Sequence, residues 1–402
     1  MNENYVVGID IGSSNVRVVT GEIVESERIK LIGVADCPAE GMHKGEVADP
    51  QKVNGALRRA LDSAEKMAGV RIRGACISIT GAGIRSFDSE GVLTRQEKSG
   101  ITPEEANYVT ENARKVPLPA DRTVIHMMEQ SFMIDGAEGV ENPVGKEGSR
   151  LERTVHIVTA VRRQVEMLKD LLDWNGIELV KMVFAPFADA KLISAGSGKK
   201  ENGLLINIGG EVTSFACYRD GAIKSSGVLP VGGFNVSNDL AIGMSFPIEV
   251  TDRLKKERCL FRGVHPDGEA GEPVVEIEIG GRDYRFNTQE IAGIVTPRCV
   301  ELFSLISNHA GLDSDFRGPV YLAGGGSRMD KIEQVAEDVF GAPAIKLQPS
   351  GVEGLVELAG DAGWVTGAGL LFHGRDLITG YRESRGSGCF NRIISGLKKV
   401  VC

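Results

Sequence analysis

An aspartate followed by glycine and two serines, Asp10-Ile11-Gly12-Ser13-Ser14, closes an apolar run over residues 6–11. Such a loop can aim backbone N–H groups at a phosphate, because glycine and serine let the ligand come close. Asp10, at the end of the run, can position a magnesium ion through the waters that magnesium retains. Alone, the stretch reads equally as an ordinary turn. The figure recurs at mid-chain: Leu204 to Ile208 is apolar but for Asn207, which stands where Asp10 stood, and Gly209-Gly210-Glu211 leads into a second alternating run over 212–218. A third cluster, Gly324-Gly325-Gly326-Ser327, lies between a short strand predicted over 319–323 and an amphipathic helix predicted over 329–340. Bare glycines let backbone approach a flat ligand, and a helix start there adds a favourable dipole. This is not the G-x-G-x-x-G dinucleotide fingerprint. Nor is the Gly-Ser-Gly-Lys-Lys of 196–200 a P-loop, since Ile193 stands where glycine is needed and Lys200 where Ser or Thr is needed. That segment reads as a solvated linker.

Loops of this kind work only when two rigid bodies hold them face to face. The chain has 402 residues, enough for two or three domains. Two copies of one hairpin, each opening half of the chain, predict two α/β lobes of like architecture facing one another; the alternative is two unrelated hairpins that share glycines. Helical spacing over 53–67 and 165–174 and a short buried strand over 76–79 fit such lobes. Over 86–159 the texture changes. Thr102-Pro103-Glu104-Glu105 has the form of a helix start, and strands are predicted over 124–134 and 154–161 around a Gly-rich link. The block is predicted to be an inserted α+β subdomain. The expected division is a first lobe over 1–85 and 163–198, the insertion over 86–162, and a second lobe over 199–373.

Hydrophobic residues make up 42% and charged residues 25% of the chain, the balance of a globular protein that can bury a core. The net charge of −9 argues against wrapping nucleic acid, which needs a basic face. The N-terminus lacks the pattern of a secretory signal, and no stretch nears the roughly 20 apolar residues of a spanning helix, so a cytosolic location is expected. The 7 cysteines include no CxxC pair and the 6 histidines show no metal-ligand spacing. Residues 374–388 collect glycine, serine and charge, and are predicted to form a flexible linker. After it Phe390, Ile393, Ile394, Leu397, Val400 and Val401 recur at steps of three and four, while Arg392, Lys398 and Lys399 form a basic side without acidic residues. An interfacial helix has this form: the apolar face sinks into the headgroup boundary, and each basic residue gains about 1 kcal/mol from anionic lipid. The alternative is a terminal helix docked on the protein's own core. So short a helix binds weakly alone, and polymerisation would make attachment firm through avidity. Cys389 and Cys402 form no C-a-a-X box.

In chain order, D-x-G-S-S, I-G-G-x-x-T and A-G-G-G-S resemble the two phosphate loops and the adenosine loop of the actin superfamily. Within it the chain resembles most specifically the FtsA family of bacterial division proteins. The carrying stretches are VGIDIGSSNVRVVTGE at 7–22, ISITGAGIRSFDSEGVL at 77–93, LPVGGFNVSNDLAIG at 229–243 and VYLAGGGSRMDKIEQVAEDVFGAPAIK at 320–346. The resemblance implies an actin-like ATPase fold: two duplicated α/β lobes around a nucleotide cleft, an FtsA-type inserted subdomain and a C-terminal amphipathic helix over 389–402. It implies ATP and Mg2+ as ligands. Asp10 (through a metal-bound water), Gly12, Ser13 and Ser14 would lie at one phosphate edge, and Asn207, Gly209, Gly210 and Thr213 at the other. Gly232 and Gly233 join this set, and Gly324, Gly325, Gly326 and Ser327 would face the adenosine. Asp252 and Lys255 match an acid and a lysine around the ribose and adenine, a pair that reads equally as i,i+3 pairing on a helix surface.

Two residues depart from the family's D-I-G-G-G-T loop. Asn207 replaces the acid, and Glu211 replaces the third glycine, which would repel phosphate unless its side chain turns away or helps a cation. At most weak ATPase activity is implied. The family's role implies a peripheral adaptor on the cytoplasmic side of the membrane at the division site. It would self-assemble, hold the FtsZ C-terminal tail and recruit other division proteins. The tail-binding helix would be residues 289–307, where Arg298 either pairs with an acidic tail or is an ordinary surface arginine. Alternatives are a PilM-type pilus-assembly adaptor, not expected to end in a tethered amphipathic helix, and an actin-superfamily phosphotransferase. The latter needs a carboxylate beside a substrate hydroxyl, and no glycine-flanked aspartate of that kind is found.

Overall fold

A computed structural model of the chain describes residues 4–24, 28–197, 202–258, 274–312, 316–355 and 360–386. The chain opens with strands β1 (Tyr5–Ile11), β2 (Asn15–Ile23) and β3 (Ile29–Pro38), the ribbon β4 (Met42–His43) and β5 (Glu46–Val47), helix α1 (Pro50–Ala68) and β6 (Gly74–Ile79). An insertion follows: β7 (Arg85–Gly100), α2 (Pro103–Arg114), β8 (Arg122–Ile134), β9 (Ala137–Val140) and β10 (Glu147–Val161). Helix α3 (Arg162–Asp173), β11 (Glu178–Phe184) and α4 (Ala185–Ser197) then return to the first body. The second lobe holds β12 (Gly203–Ile208), β13 (Thr213–Arg219), β14 (Ala222–Leu229), α5 (Gly233–Met244), α6 (Ile248–Arg258), the ribbon β15 (Val274–Ile279) and β16 (Arg282–Asn287), α7 (Thr288–Ala310), β17 (Val320–Ala323), α8 (Ile332–Phe340) and β18 (Ala344–Lys346). Last come β19 (Val352–Gly354) and α9 (Val365–Gly386).

The predicted duplication is present at the level of pairing. In the first sheet, β3-β2-β1 is an antiparallel meander continued by parallel β6 and β11. In the second, β14-β13-β12 is the same meander, continued by parallel β17 and β18. Local chemistry explains the elements. Helix α1 starts where the Asp49 carboxylate accepts from the backbone N–H of Gln51 and Lys52, and it ends at Gly69, whose φ of 67° suits glycine. Val53, Ala56, Leu57, Ala60, Leu61 and Ala64 form its buried stripe. The predicted start of α2 is a capping box between Thr102 and Glu105. The β13–β14 hairpin turns at Asp220 and Gly221, with φ of 54° and 79°, the form that matches strand twist.

Four expectations are corrected. Strand β7, which has 16 residues, was not expected, because its side chains alternate mostly among half-exposed and exposed polar groups. Residues 374–386 are not a flexible linker: they continue α9, whose first turns bury Val365, Ala368, Leu370, Leu371 and Phe372 in the first lobe's core. The second lobe therefore ends earlier than residue 373, since β19 pairs with β3 and α9 packs on α4 and β1. The helix expected from 329 begins at 332, after a 3-10 turn at Gly325–Arg328 and a left-handed Lys331. The interfacial helix expected over 389–402, with Phe390, Arg392, Ile393, Ile394, Leu397, Lys398, Lys399, Val400 and Val401, lies outside the described residues.

Candidate functional site

The three glycine clusters converge on one cleft between the lobes. Asp10, Gly12, Ser13 and Ser14 line it from the first lobe; Asn207, Gly209, Gly210, Gly233, Lys255, Gly324, Gly325 and Gly326 line it from the second. The two hairpin turns are built alike, with Gly12 N–H donating to Asn15 O and Gly209 N–H to Val212 O, both at 2.9 Å. They nearly touch. A Cβ on Gly210 would fall 2.3 Å from Ser14 Oγ, and one on Gly232 would fall 2.7 Å from Gly210 O, so glycine is what lets the loops close on each other. Gly324, with φ of 83°, passes so near β12 that a Cβ would meet Asn207 Oδ1 at 2.4 Å. Its N–H donates to Ala362 O at 2.9 Å, which fixes the third loop to the turn before α9.

Several side chains here are waiting for partners or are held at a cost. Ser13 Oγ, Thr80 Oγ1 and Asp189 Oδ1 are buried without a hydrogen-bond partner among the described residues. Burial raises the Asp10 pKa, opposed by the Ser78 hydroxyl, which donates to Oδ1 at 2.6 Å. Burial also raises Asp189, to about 7, against the bonds it accepts from Asn207 and Thr366 and with help from the Asp10 charge. Lys255 Nζ donates to Gly233 O, Ser237 Oγ and Asp252 Oδ1 at 2.9, 2.7 and 2.9 Å, and lies 5.6 Å from the Phe234 ring centre. Burial opposes ionisation of Asp252, but the Lys255 and Lys256 bonds prevail and hold its pKa down at about 2. That pair is therefore a buried brace between α5 and α6 rather than an exposed i,i+3 pair.

The predicted residues do not all face the cleft. Thr213 is buried and donates to Val231 O at 2.8 Å; Ser327 is buried and donates to Gly324 O at 2.7 Å. Both hold loop shape. Arg298 is already engaged: Nη2 donates to Asp239 Oδ1 at 3.1 Å, Nε pairs with Asp239 Oδ2, and Nη1 donates to Glu301 at 2.6 Å. Any acidic tail would have to compete with Asp239. Glu211 does not point at the phosphate position. Its Oε2 accepts from Lys44 N–H at 2.5 Å, so the carboxylate reaches across to the turn between β4 and β5. Unforeseen lining residues include Arg17, Thr80, Phe234, Lys256, Arg328 and Thr366. Asp189 could have been noticed as the one acid in the small and apolar stretch Phe187-Ala188-Asp189-Ala190.

The donor set fits a magnesium nucleotide: the Asp10 carboxylate and the Asn207 amide at the strand ends, Asp189 behind Asn207, hydroxyls at Ser13 and Thr80 without a partner among the described residues, and glycine cradles that a Cβ would fill. A second constellation joins the insertion to the second lobe. His156 Nδ1 lies 2.6 Å from Asp88 Oδ1 and Nε2 lies 2.8 Å from Ser226 Oγ, an acid–imidazole–hydroxyl order. It does not serve as a nucleophile site, because His156 and Ser226 are only 2% and 7% exposed. With Ser86 Oγ donating to Ser226 O, it fastens β7 and β10 to β14.

Comparison with known proteins adds to this geometry. Residues 204–369 match the family described as "Cell division protein FtsA", and residues 81–159 match the "SHS2 domain inserted in FTSA". The chain is similar to cell division protein FtsA of Pseudomonas aeruginosa, with 31% identity over 92% of this chain and 89% of that one. It is similar to FtsA of Bacillus subtilis at 30% identity over 92% and 84%, and to that of Escherichia coli K12 at 27% over 93% and 91%. In structure it is similar to a chain of the PilM–PilN type IV pilus biogenesis complex, with a TM-score of 0.65 and 17% identity over 92% and 98%. It is also similar to MreB 5 of Spiroplasma citri bound to AMPPNP, with a TM-score of 0.55 and 13% identity over 95% and 99%. At such identities these neighbours speak for the fold alone, which is the actin-like ATPase fold with an inserted subdomain.

Proposed function

The chain belongs to the FtsA family of cell division proteins, and we propose that it is an ATP-binding scaffold that anchors FtsZ filaments at the cytoplasmic face of the membrane. The observation that most supports ATP binding is the convergence of three glycine loops, from both lobes, on one cleft lined by Asp10 and Asn207. The Gly12 and Gly209 N–H groups close their own turns, so the N–H groups of Ser13, Ser14 and Gly210 are the phosphate donors, and the 324–326 loop with Phe234 and Lys255 offers the surface for adenosine. Bound Mg2+ would neutralise phosphate charge. The chain's own work is to hold both loops against one ligand, so that nucleotide binding joins the lobes.

Self-assembly multiplies a weak membrane contact. The apolar face from Phe390 to Val401 and the basic Arg392, Lys398 and Lys399 support binding to anionic lipid. No helix among the described residues is long and apolar enough to cross a membrane. The FtsZ tail is assigned to the α7 region of the second lobe, and recruitment of other division proteins completes the role. Since Asn207 brings no charge to its loop, ATP serves as a structural ligand with at most slow turnover. Titration of the full chain with a fluorescent ATP analogue in Mg2+ tests the nucleotide part. Saturable binding displaced by ATP is expected; no binding at saturating nucleotide would contradict it.

A further inference from the structure

The two hairpins that open the lobes correspond bond for bond, so Asp10 and Asn207, each two residues before the turn glycine, are counterparts. The first is an acid and the second is not. Asn207, however, is joined to an acid. Its Nδ2 donates to Asp189 Oδ2 at 2.6 Å and to Thr366 Oγ1 at 3.0 Å. Asp189, on α4, is 0% exposed, and its Oδ1 has no hydrogen-bond partner among the described residues. Asn207, Thr366 and the acidic Asp10 stand around it, and among the described residues it forms no ion pair. A carboxylate so placed is costly to keep unless a positive charge is meant to approach it.

We propose that Asp189, one layer behind Asn207, supplies the negative charge that the second phosphate loop lacks, and that Asp10, Asn207 and Asp189 together position the divalent cation of a bound nucleoside triphosphate. Asn207 then acts as the link. With Nδ2 committed to Asp189 and Thr366, Oδ1 is the atom that can accept from a cation's water. Asp189 is a positioning residue, acting through Asn207 and through the field it sets up in a low-dielectric site. Thr366, at the start of α9, holds the link from the first lobe beside Asp189, so the bonds from Asn207 of the second lobe cross between the lobes. The inference rests on the nucleotide reading of the cleft.

Equilibrium titration of ATP into the full chain, in Mg2+ and separately in EDTA, tests it. Mg2+ should tighten binding to the unaltered chain. Asp189→Asn keeps the volume and a bond to Asn207 but removes the charge. It should cut the Mg2+ tightening about 10-fold, the usual scale for losing an outer-shell partner, with affinity in EDTA unchanged or higher. Adding Asn207→Asp to it moves the charge onto the loop and should restore the Mg2+ effect, which a merely structural Asp189 would not do. Asp189→Ser serves in place of Asp189→Asn if thermal melts show that the latter does not fold. A folded Asp189 variant with the full Mg2+ effect, or an exchanged pair that regains none of it, overturns the assignment. Absence of ATP binding by the unaltered chain in either buffer instead overturns the nucleotide reading, and the assignment with it.

Discussion

Replacing Gly324 or Gly325 with alanine separates the cleft's shape from its binding surface, though the two residues are neighbours. A Cβ on Gly324 would meet Asn207 Oδ1 at 2.4 Å, Ile208 O at 2.6 Å and the Ile208 carbonyl carbon at 2.9 Å. Two of these are backbone atoms of β12 and cannot swing away. Gly324 also has φ of 83° and ψ of 167°, a region essentially confined to glycine that costs other residues about 1–3 kcal/mol. Overpacking adds about 1–3 kcal/mol, so Gly324→Ala should lose about 2–6 kcal/mol of stability. A Cβ on Gly325 would meet nothing within 4 Å among the described residues, and it opens on the cleft. Gly325→Ala should leave stability within about 0.5 kcal/mol. It should weaken ATP binding about tenfold, because the methyl takes space meant for ligand. Urea unfolding and ATP titration of both variants supply the numbers. Equal stabilities for the two, or unaltered affinity in Gly325→Ala, would refute the reasoning.

Three further outcomes follow from particular contacts. His156→Ala removes both bonds that tie Asp88 and Ser226 and should cost about 2–3 kcal/mol; hydrogen exchange should quicken in β14 and β10, and uniform protection would argue that the insertion is held otherwise. Glu211→Ala should leave ATP affinity unchanged or raised, because the carboxylate binds Lys44 N–H and not the phosphate position, while thermal stability falls by about 1 kcal/mol; a drop in affinity would mean that Glu211 helps hold the ligand. Burial and the Lys181 charge depress His126 to about 3 and His373 to about 4, both below the ordinary 6.5. The unfolded chain therefore takes up these protons first, and stability, complete above pH 6.5, should fall by up to about 1.4 kcal/mol per pH unit for each group between pH 6 and 5. His126→Gln should flatten that slope in pH-dependent melts.

Much of the scaffold was legible because its signals were local. An apolar run, a glycine turn and a second run specify a hairpin wherever they occur, and the repetition of that figure announced paired lobes. The capping box at Thr102 and Glu105 marked a helix without any tertiary knowledge. Where packing decided, sequence reading failed. Strand β7 carries Ser86, Asp88, Glu90, Arg95, Glu97 and Lys98, and is a strand because β10 pairs with it from Arg85 to Thr94 and again at Ser99 and Gly100. Residues 374–386 carry glycines that suggest a tether, yet they prolong a helix whose start is locked into the first lobe; Lys191 braces it by pairing with Asp376 at 3.1 Å. In the site, the glycines were readable because only glycine lets the loops touch. Asp189 and Thr80 were not, since their meaning lies in neighbours distant in sequence: Asn207 for the one and the opposite lobe's loops for the other.

The tether itself is tested most directly by sedimentation with anionic liposomes, using purified FtsZ, the full chain and a chain ending at Gly388, each with MgATP. The full chain should pellet with the liposomes and carry FtsZ down, and the shortened chain should leave both in the supernatant. If the shortened chain pellets FtsZ as well as the full chain does, or if the full chain stays in solution, the residues from Cys389 to Cys402 do not anchor the protein and the proposed role is contradicted.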